Sequence, residues 1–335
     1  MEVILEFASR FAAQLQSSTM SFLLGGVLIA ALGTRLQIPE SIYRFIVFVL
    51  LMTVGLEGGI AIREANLSEM LVPAALAATL GITIVLIGRV TLAVLPSIRT
   101  EDGIATAGLF GAVSGSTLAA AIVLLREQSV FYEPWAPALY PFMDIPALIT
   151  AIVLANLYLA GQNGSGAGGV HIAEIIRESL RGPALTSLLL GLLLGLAARP
   201  DAVFAEFYDP LFRGMLSVLM LVMGMDAYER ITELRRVAHW YAVYAVVAPL
   251  AHGLLAFGLG YLAHLAAGLS PGGVVLLAVI AGSSSDISGP PTLRAGIPGA
   301  NPSAYVGAST GLGTPVAIAV GIPLYLGLAQ AVFGA

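Results

Sequence analysis

The sequence contains no cysteine and no lysine, and it is poor in charge. Without cysteine, the chain has no disulfide, no thiol nucleophile and no thiolate ligand for a metal. Charged residues make up 10% of the 335 residues, whereas soluble domains carry roughly a quarter. The net charge of −5, with arginine as the only strongly basic residue, offers no basic patch for nucleic acid. These absences exclude a water-soluble protein.

Long hydrophobic segments are abundant: 58% of the residues are hydrophobic, and the mean hydropathy is +0.92. A helix needs about 20 mostly apolar residues to cross a bilayer. The sequence predicts an all-α polytopic membrane protein with ten transmembrane helices. Eight are uninterrupted: 19–34, 42–60, 68–95, 138–160, 184–198, 211–226, 238–267 and 308–333. The other two, 103–125 and 271–294, are interrupted by Gly, Ser and Pro.

The remaining segments divide the chain into four parts. Residues 1–17 have apolar side chains at helical spacing opposite Glu2, Glu6 and Arg10, which predicts a helix lying in the membrane interface. Residues 18–160 and 184–335 each carry five predicted spans. Residues 161–183 between them form a linker that begins with a Gly-rich stretch. Loop arginines are more numerous on the linker side, which places that side in the cytoplasm and both termini in the periplasm.

The sequences of the two halves align without gaps when each residue of the first half is paired with the residue a fixed number of positions later in the chain. The matched pairs are Tyr43 and Phe212, Gly55 and Gly224, Glu57 and Asp226, Ser114 and Ser283, Ser116 and Ser285, and Pro146 and Pro315. Because each half has an odd number of spans, the second half enters the membrane in the opposite orientation. The pattern therefore predicts a 5+5 inverted repeat, typical of secondary transporters. For Glu57 and Asp226, a role at the interface and a role in transport remain equally open.

The interrupted helices occupy equivalent positions in the two repeats, over Gly108–Ala121 and Ala281–Arg294. Backbone groups freed by Pro and Gly inside a membrane must line a cavity or bind something. A helix that restarts after a break presents N–H groups that suit an anion. The predicted anion site consists of Ser114, Gly115, Ser116, Thr117, Ser283, Ser284 and Ser285.

Two carboxylates, Asp144 and Asp286, lie deep inside apolar spans, where charge is expensive and is usually retained for function. Carboxylate, hydroxyl and carbonyl oxygens suit a hard cation such as sodium. The predicted sodium ligands are Asp286, Asp144, Ser288 and Asn156, although a lone amide such as Asn156 more often bonds a neighbouring helix. No phosphate-binding loop, catalytic triad or HExxH motif is present, so neither an enzyme nor an ATP-driven pump is predicted.

Five strings of this sequence resemble the SbtA family of cyanobacterial sodium-dependent bicarbonate transporters. They are Gly111–Ala121, Tyr140–Ala147, Phe207–Gly214, Ser283–Pro298 and Asn301–Tyr305. The resemblance extends over nearly the whole chain outside the central linker. It implies sodium/bicarbonate symport across the inner membrane for the carbon-concentrating mechanism, with sodium as the coupling ion and no organic cofactor.

The resemblance also implies a core domain that moves against a scaffold domain by alternating access. It further implies a homotrimer and a PII-like regulator, SbtB, which docks from the cytoplasm. From the residues alone, a sodium/proton antiporter that titrates Asp144 and Asp286 stays open, as does a passive channel for a small anion.

Overall fold

The computed structural model describes residues 18–34, 36, 38–63, 67–163, 183–234, 239–286 and 289–334. All regular secondary structure in these residues is helical. The predicted interfacial helix over 1–17, most of the linker and Ser288 lie outside the described residues.

A helix is present in each segment predicted to span the membrane. In the first half these are α1 Ser18–Ala31, α2 Glu40–Ile62, α3 Leu71–Thr91, α4 Thr100–Gly111, α5 Gly115–Glu127 and α6 Tyr140–Asn163. In the second half they are α7 Pro183–Ala197, α8 Asp209–Leu234, α9 His239–Ala267, α10 Pro271–Ala281, α11 Gly289–Gly296 and α12 over 302–333. The last helix contains two π-helical stretches, Ser309–Gly313 and Ala317–Gly321.

Five helical segments of the described chain are long and apolar enough to cross a membrane. They are Leu71–Thr91, Thr100–Glu127, Ala136–Leu159, Trp240–Ala267 and Ala304–Phe333. The apolar part of Thr100–Glu127, which contains α4, the break and α5, is buried throughout, whereas in each of the other segments half or less of the apolar part is buried. The interrupted helix of the first half therefore lies inside the protein.

Glycines let helices from the two halves cross at backbone contact. A Cβ on Gly26 of α1 would lie 2.1 Å from the Leu221 carbonyl oxygen and 3.0 Å from the Gly224 Cα of α8. At the crossing of α2 and α7, a Cβ on Gly55 would lie 2.2 Å from the Leu188 carbonyl oxygen. Small residues at such crossings allow close van der Waals packing in a membrane. We call α1, α2, α7 and α8 the glycine-crossed group.

The other helices are α3–α6 and α9–α12, and because they contain both interrupted helices we call them the broken-helix group. They pack mainly on one another, except α5, which contacts both groups. Here too small residues set the spacing. A Cβ on Gly108 of α4 would lie 2.6 Å from the Ala151 side chain of α6, and one on Gly103 would lie 2.5 Å from the Ala93 Cα. Substituting a larger residue would force α4 away from its neighbours.

Acidic side chains fix the outer end of each interrupted helix. At the start of α4, Asp102 accepts a hydrogen bond of 2.7 Å from the backbone N–H of Asn301, just before α12. At the start of α10, Glu133 accepts hydrogen bonds from the backbone N–H of Ser270 at 2.6 Å and from its hydroxyl at 2.8 Å. A carboxylate at a helix N-terminus satisfies unpaired N–H groups and complements the helix dipole.

Candidate functional site

The first break lies between α4 and α5, at Ala112, Val113 and Ser114. The backbone of Ala112 is extended (ψ 167°), which ends α4. Ser114 then caps α5, because its hydroxyl accepts a hydrogen bond of 3.1 Å from the Thr117 N–H. Gly115 leaves room for α2 at this point, since a Cβ there would lie 2.8 Å from a Leu51 methyl group and would displace that side chain. The sequence therefore restarts the helix inside the protein with its N-terminus against α2.

The second break is longer and separates α10 from α11. Gly282 ends α10, and the Ser283 hydroxyl donates back to the Ile280 carbonyl over 2.8 Å. The Ser285 hydroxyl accepts a hydrogen bond of 2.9 Å from the N–H of Gly289, the first residue of α11. Because the chain is not helical from Ser283 to Asp286, these four residues present backbone and side-chain polar groups together.

The two breaks are in direct contact. The Ser114 N–H donates over 3.0 Å to the hydroxyl of Ser283, its equivalent in the second half. The Ser116 hydroxyl donates to Asp286 Oδ2 over 2.6 Å. The Ser285 N–H donates over 2.8 Å to the carbonyl of Leu109, in the last turn of α4. The structure thus brings the predicted residues of both halves into one polar cluster.

Each break is held by the last helix of its own half. In the first half, the Tyr140 hydroxyl donates to the Val113 carbonyl over 3.1 Å. In the second half, the Ser309 hydroxyl donates to the Ser285 carbonyl over 2.8 Å. Tyr140 and Ser309 are as far apart in the sequence as Ser114 and Ser283, so they occupy equivalent positions in the two halves. In each half, the hydroxyl at this position donates to a carbonyl of the non-helical break. Buried backbone groups in a membrane need such partners.

The two membrane carboxylates differ in their surroundings. Asp144 on α6 is fully buried, and its Oδ1 accepts a hydrogen bond of 2.9 Å from the Val113 N–H of the first break. Its Oδ2 is buried without a hydrogen-bond partner. Asp286 lies in the second break, where its Oδ2 accepts from the hydroxyls of Ser116 and Tyr43. An oxygen buried without a partner is costly, which favours a bound cation or donor at Asp144.

Asn156, one of the predicted sodium ligands, is not part of this cluster. The amide of Asn156 donates to the carbonyls of Ile152 at 2.9 Å and Gly296 at 3.3 Å. Its position on α6 is twelve residues beyond Asp144, or about 18 Å along an ideal helix. Asn156 therefore ties α6 to the end of α11. Ser288 lies outside the described residues.

Residues that the sequence reasoning did not select complete the cluster. Tyr43 on α2 reaches Asp286, and Thr314 on α12 donates to the Ser284 carbonyl over 3.2 Å. The internal alignment paired Tyr43 with Phe212 but gave no reason to expect a hydroxyl contact with the second break. Ser309 could have been found as the residue equivalent to Tyr140.

An ion cluster lies at one end of the helices, apart from the breaks. Arg126 at the end of α5 pairs with Glu57 of α2 and, at 3.3 Å, with Asp209 at the start of α8. Its Nε donates to the Tyr132 hydroxyl over 3.2 Å. Burial raises the pKa of Tyr132, so the hydroxyl that accepts this bond is neutral. Glu57 therefore binds an arginine that joins the broken-helix group to the glycine-crossed group.

The fold and the site define a class of protein: an all-helical membrane protein in which two interrupted helices meet in a buried polar cluster that includes carboxylates. Residues 18–330 match the Na+-dependent bicarbonate transporter superfamily, and the chain belongs to this family. No curated protein matches the chain at a significant level. Family membership implies sodium-dependent transport of bicarbonate across a membrane, a transport role rather than an enzymatic one.

Proposed function

We propose that this protein is a sodium/bicarbonate symporter that imports bicarbonate by alternating access. The observation that carries the proposal is the direct contact between the two breaks, which joins two interrupted helices, their hydroxyls and Asp286 in one cluster. Transporters built on inverted repeats form their sites where interrupted helices of the two halves meet. The family to which the chain belongs supplies the pair of ions.

Bicarbonate binds, in this proposal, to the helix ends that begin at the breaks. The N-terminus of α5 supplies N–H groups and the positive end of a helix dipole, which favour an anion. α11 supplies its dipole only, because the Gly289 N–H already donates to Ser285 and Pro290 and Pro291 have no N–H. The hydroxyls of Ser114, Ser116 and Thr117 lie beside the first of these N-termini and are buried. Gly115 lets the chain approach α2 closely, and Ser283, Ser284 and Ser285 line the second break.

Sodium binds, in this proposal, to Asp286 and Asp144, with hydroxyl and carbonyl oxygens of the breaks completing its shell. The buried Oδ2 of Asp144 has no hydrogen-bond partner and is suited to receive a cation. A cation near these carboxylates lowers the free energy of placing an anion in the same cluster. That mutual stabilisation is a coupling free energy, and it acts equally on both ions.

The two halves form, in this proposal, an inverted repeat of five spans each. The first residues of α2 and α8 are as far apart in the sequence as the equivalent serines Ser114 and Ser283. Tyr140 and Ser309, which bond the breaks, have the same separation. The broken-helix group acts as the moving core and the glycine-crossed group as the scaffold, because the scaffold helices are joined by backbone contacts. Arginine counts favour periplasmic termini, and the resemblance favours the inner membrane. The resemblance favours a homotrimer, a cytoplasmic SbtB partner and a role in carbon concentration.

The test is uptake of labelled bicarbonate into proteoliposomes under an imposed inward sodium gradient. The wild type should accumulate bicarbonate only with the gradient. Asp286→Asn should lose this uptake, because the amide carries no charge for the cation. Asp201→Asn is the matched control, since Asp201 pairs with Arg63 at the surface, with over half of its side chain exposed.

Three results would contradict the proposal. Sodium-dependent uptake that is intact in Asp286→Asn would remove the cation site from this carboxylate. Sodium flux coupled to pH, with no need for bicarbonate, would indicate an antiporter. Bicarbonate flux that is unchanged when the sodium gradient is collapsed at a fixed anion gradient would indicate a channel.

A further inference from the structure

Tyr43 connects α2 to the second break. Its ring is buried, with 8% of the residue exposed, and its hydroxyl donates to Asp286 Oδ2 over 3.2 Å. The same oxygen accepts from Ser116, which belongs to the first break. One carboxylate oxygen therefore receives a donor from each helix group: Ser116 from the broken-helix group and Tyr43 from the glycine-crossed group.

The helix that carries Tyr43 is anchored independently of the breaks. Gly55 and Gly59 of α2 lie against α7, where added Cβ atoms would come within 2.2 Å of the Leu188 and Leu192 carbonyl oxygens. Backbone contacts this close hold α2 to α7 rather than to α11. Any displacement of Asp286 relative to the glycine-crossed group must therefore stretch the bond to Tyr43.

The equivalent position in the second half shows that packing does not require the hydroxyl. Phe212, which the internal repeat pairs with Tyr43, is fully buried and lies 5.3 Å from the Arg126 guanidinium. An aromatic ring fills the space at both positions, but of the two only the Tyr43 ring carries a hydroxyl. The hydroxyl thus has a role beyond filling space.

We propose that Tyr43 is a positioning residue that holds the sodium-free Asp286 against the glycine-crossed group and releases it when sodium binds. This inference rests on the proposed symport. A hydroxyl proton and a cation compete for the same carboxylate oxygen, because the positive end of the O–H dipole is repelled by the ion. Sodium binding therefore weakens the bond that holds the two helix groups together, so the sodium-free carrier moves more slowly than the sodium-loaded one.

The test compares Tyr43→Phe with Tyr325→Phe. The Tyr325 hydroxyl donates over 2.8 Å to the Pro249 carbonyl, within the broken-helix group, so its loss removes a buried tyrosine hydroxyl without separating the two groups. In proteoliposomes without sodium, Tyr43→Phe should raise bicarbonate exchange about tenfold, the effect expected when one hydrogen bond to a carboxylate is lost. Tyr325→Phe should match the wild type.

A second readout does not depend on bicarbonate. The chain has no cysteine, so Leu32→Cys and Pro298→Cys introduce two unique sites for spin labels. Both positions are exposed; Leu32 follows α1 and Pro298 follows α11. In the wild type, sodium should shift the distance distribution between the labels. In Tyr43→Phe, the sodium-free distribution should already include the shifted distances.

The outcomes separate this inference from the proposed function. If Tyr43→Phe shows no more sodium-free exchange than the wild type and keeps the wild-type response of the label distance to sodium, the inference is wrong. Lower uptake at every sodium concentration without a leak would likewise assign Tyr43 a packing role only. If the wild type transports no bicarbonate but its sodium-dependent distance change is lost in Tyr43→Phe, the inference stands and the proposed substrate fails.

Discussion

Replacing the glycines at the helix crossings by alanine should destabilise the protein, and by similar amounts in the two halves. In Gly224→Ala, the new Cβ would lie 2.0 Å from the Leu23 carbonyl oxygen and 3.0 Å from the Gly26 Cα. In Gly55→Ala, the corresponding distances are 2.2 Å to the Leu188 carbonyl oxygen and 3.0 Å to the Gly191 Cα. The contacted atoms are backbone, so the helices themselves must separate by about 1.2–2 Å before the new Cβ reaches an ordinary contact distance from the carbonyl oxygen.

The magnitude follows from two opposing effects. Alanine is favoured over glycine in a helix by about 1 kcal/mol. Overpacking of a well-packed interface typically costs about 1–3 kcal/mol, and more where backbone must move. Because the clash is with a carbonyl oxygen rather than a flexible side chain, we expect the clash to outweigh the gain. The free energy of unfolding should fall by about 1–2 kcal/mol in each variant.

The assay is unfolding of the purified protein by sodium dodecyl sulfate, followed by far-UV circular dichroism. Gly25→Ala is the matched control, because its added Cβ would lie at an ordinary contact distance of 3.8 Å from a Leu221 methyl group. It should unfold like the wild type or slightly later. If Gly55→Ala and Gly224→Ala were as stable as Gly25→Ala, the crossings would not be close-packed and the reasoning would be refuted.

Three further predictions concern other parts of the structure. Arg126→Gln should lower the stability in the same assay by about 1–3 kcal/mol, because Glu57 would keep a half-buried charge without its arginine; an unchanged midpoint would show that the cluster contributes nothing. Glu133→Gln should speed amide hydrogen exchange at the start of α10, since the carboxylate that accepts from Ser270 is lost; exchange that is faster only at remote helices would contradict this. Ser114→Ala should lower the stability by about 1 kcal/mol through loss of the α5 cap, and no change in stability would argue against the cap.

The positions of the helices can be predicted from the sequence because hydrophobic length and Gly/Pro punctuation decide them. The sequence predicts interruptions in residues 103–125 and 271–294, and the structure breaks both at the Ser-rich strings. The internal offset also indicates which serines are equivalent. The contact between Ser114 and Ser283 then follows if the two halves are arranged around a common axis.

The sequence could not show which side chains of different helices contact one another. Asn156 and Asp144 are on the same helix, and only the helical rise separates the amide from the cluster. Tyr43 has an ordinary position in an apolar helix, so its contact with Asp286 emerges only when α2 is packed against the second break. In the sequence, Arg126 contributes only to the count of arginines on each side of the membrane. In the structure, it pairs with acidic residues of two other helices and forms a three-helix ion cluster.

The hydrogen bond between the equivalent serines has a consequence for the relation between the two halves. Ser114 donates its N–H, whereas Ser283 accepts through its hydroxyl and turns its own proton to the Ile280 carbonyl. A single donor–acceptor bond between two equivalent residues has a direction, so no twofold rotation leaves it unchanged. The two halves share a sequence register, yet their equivalent serines make different hydrogen bonds at the point where they meet.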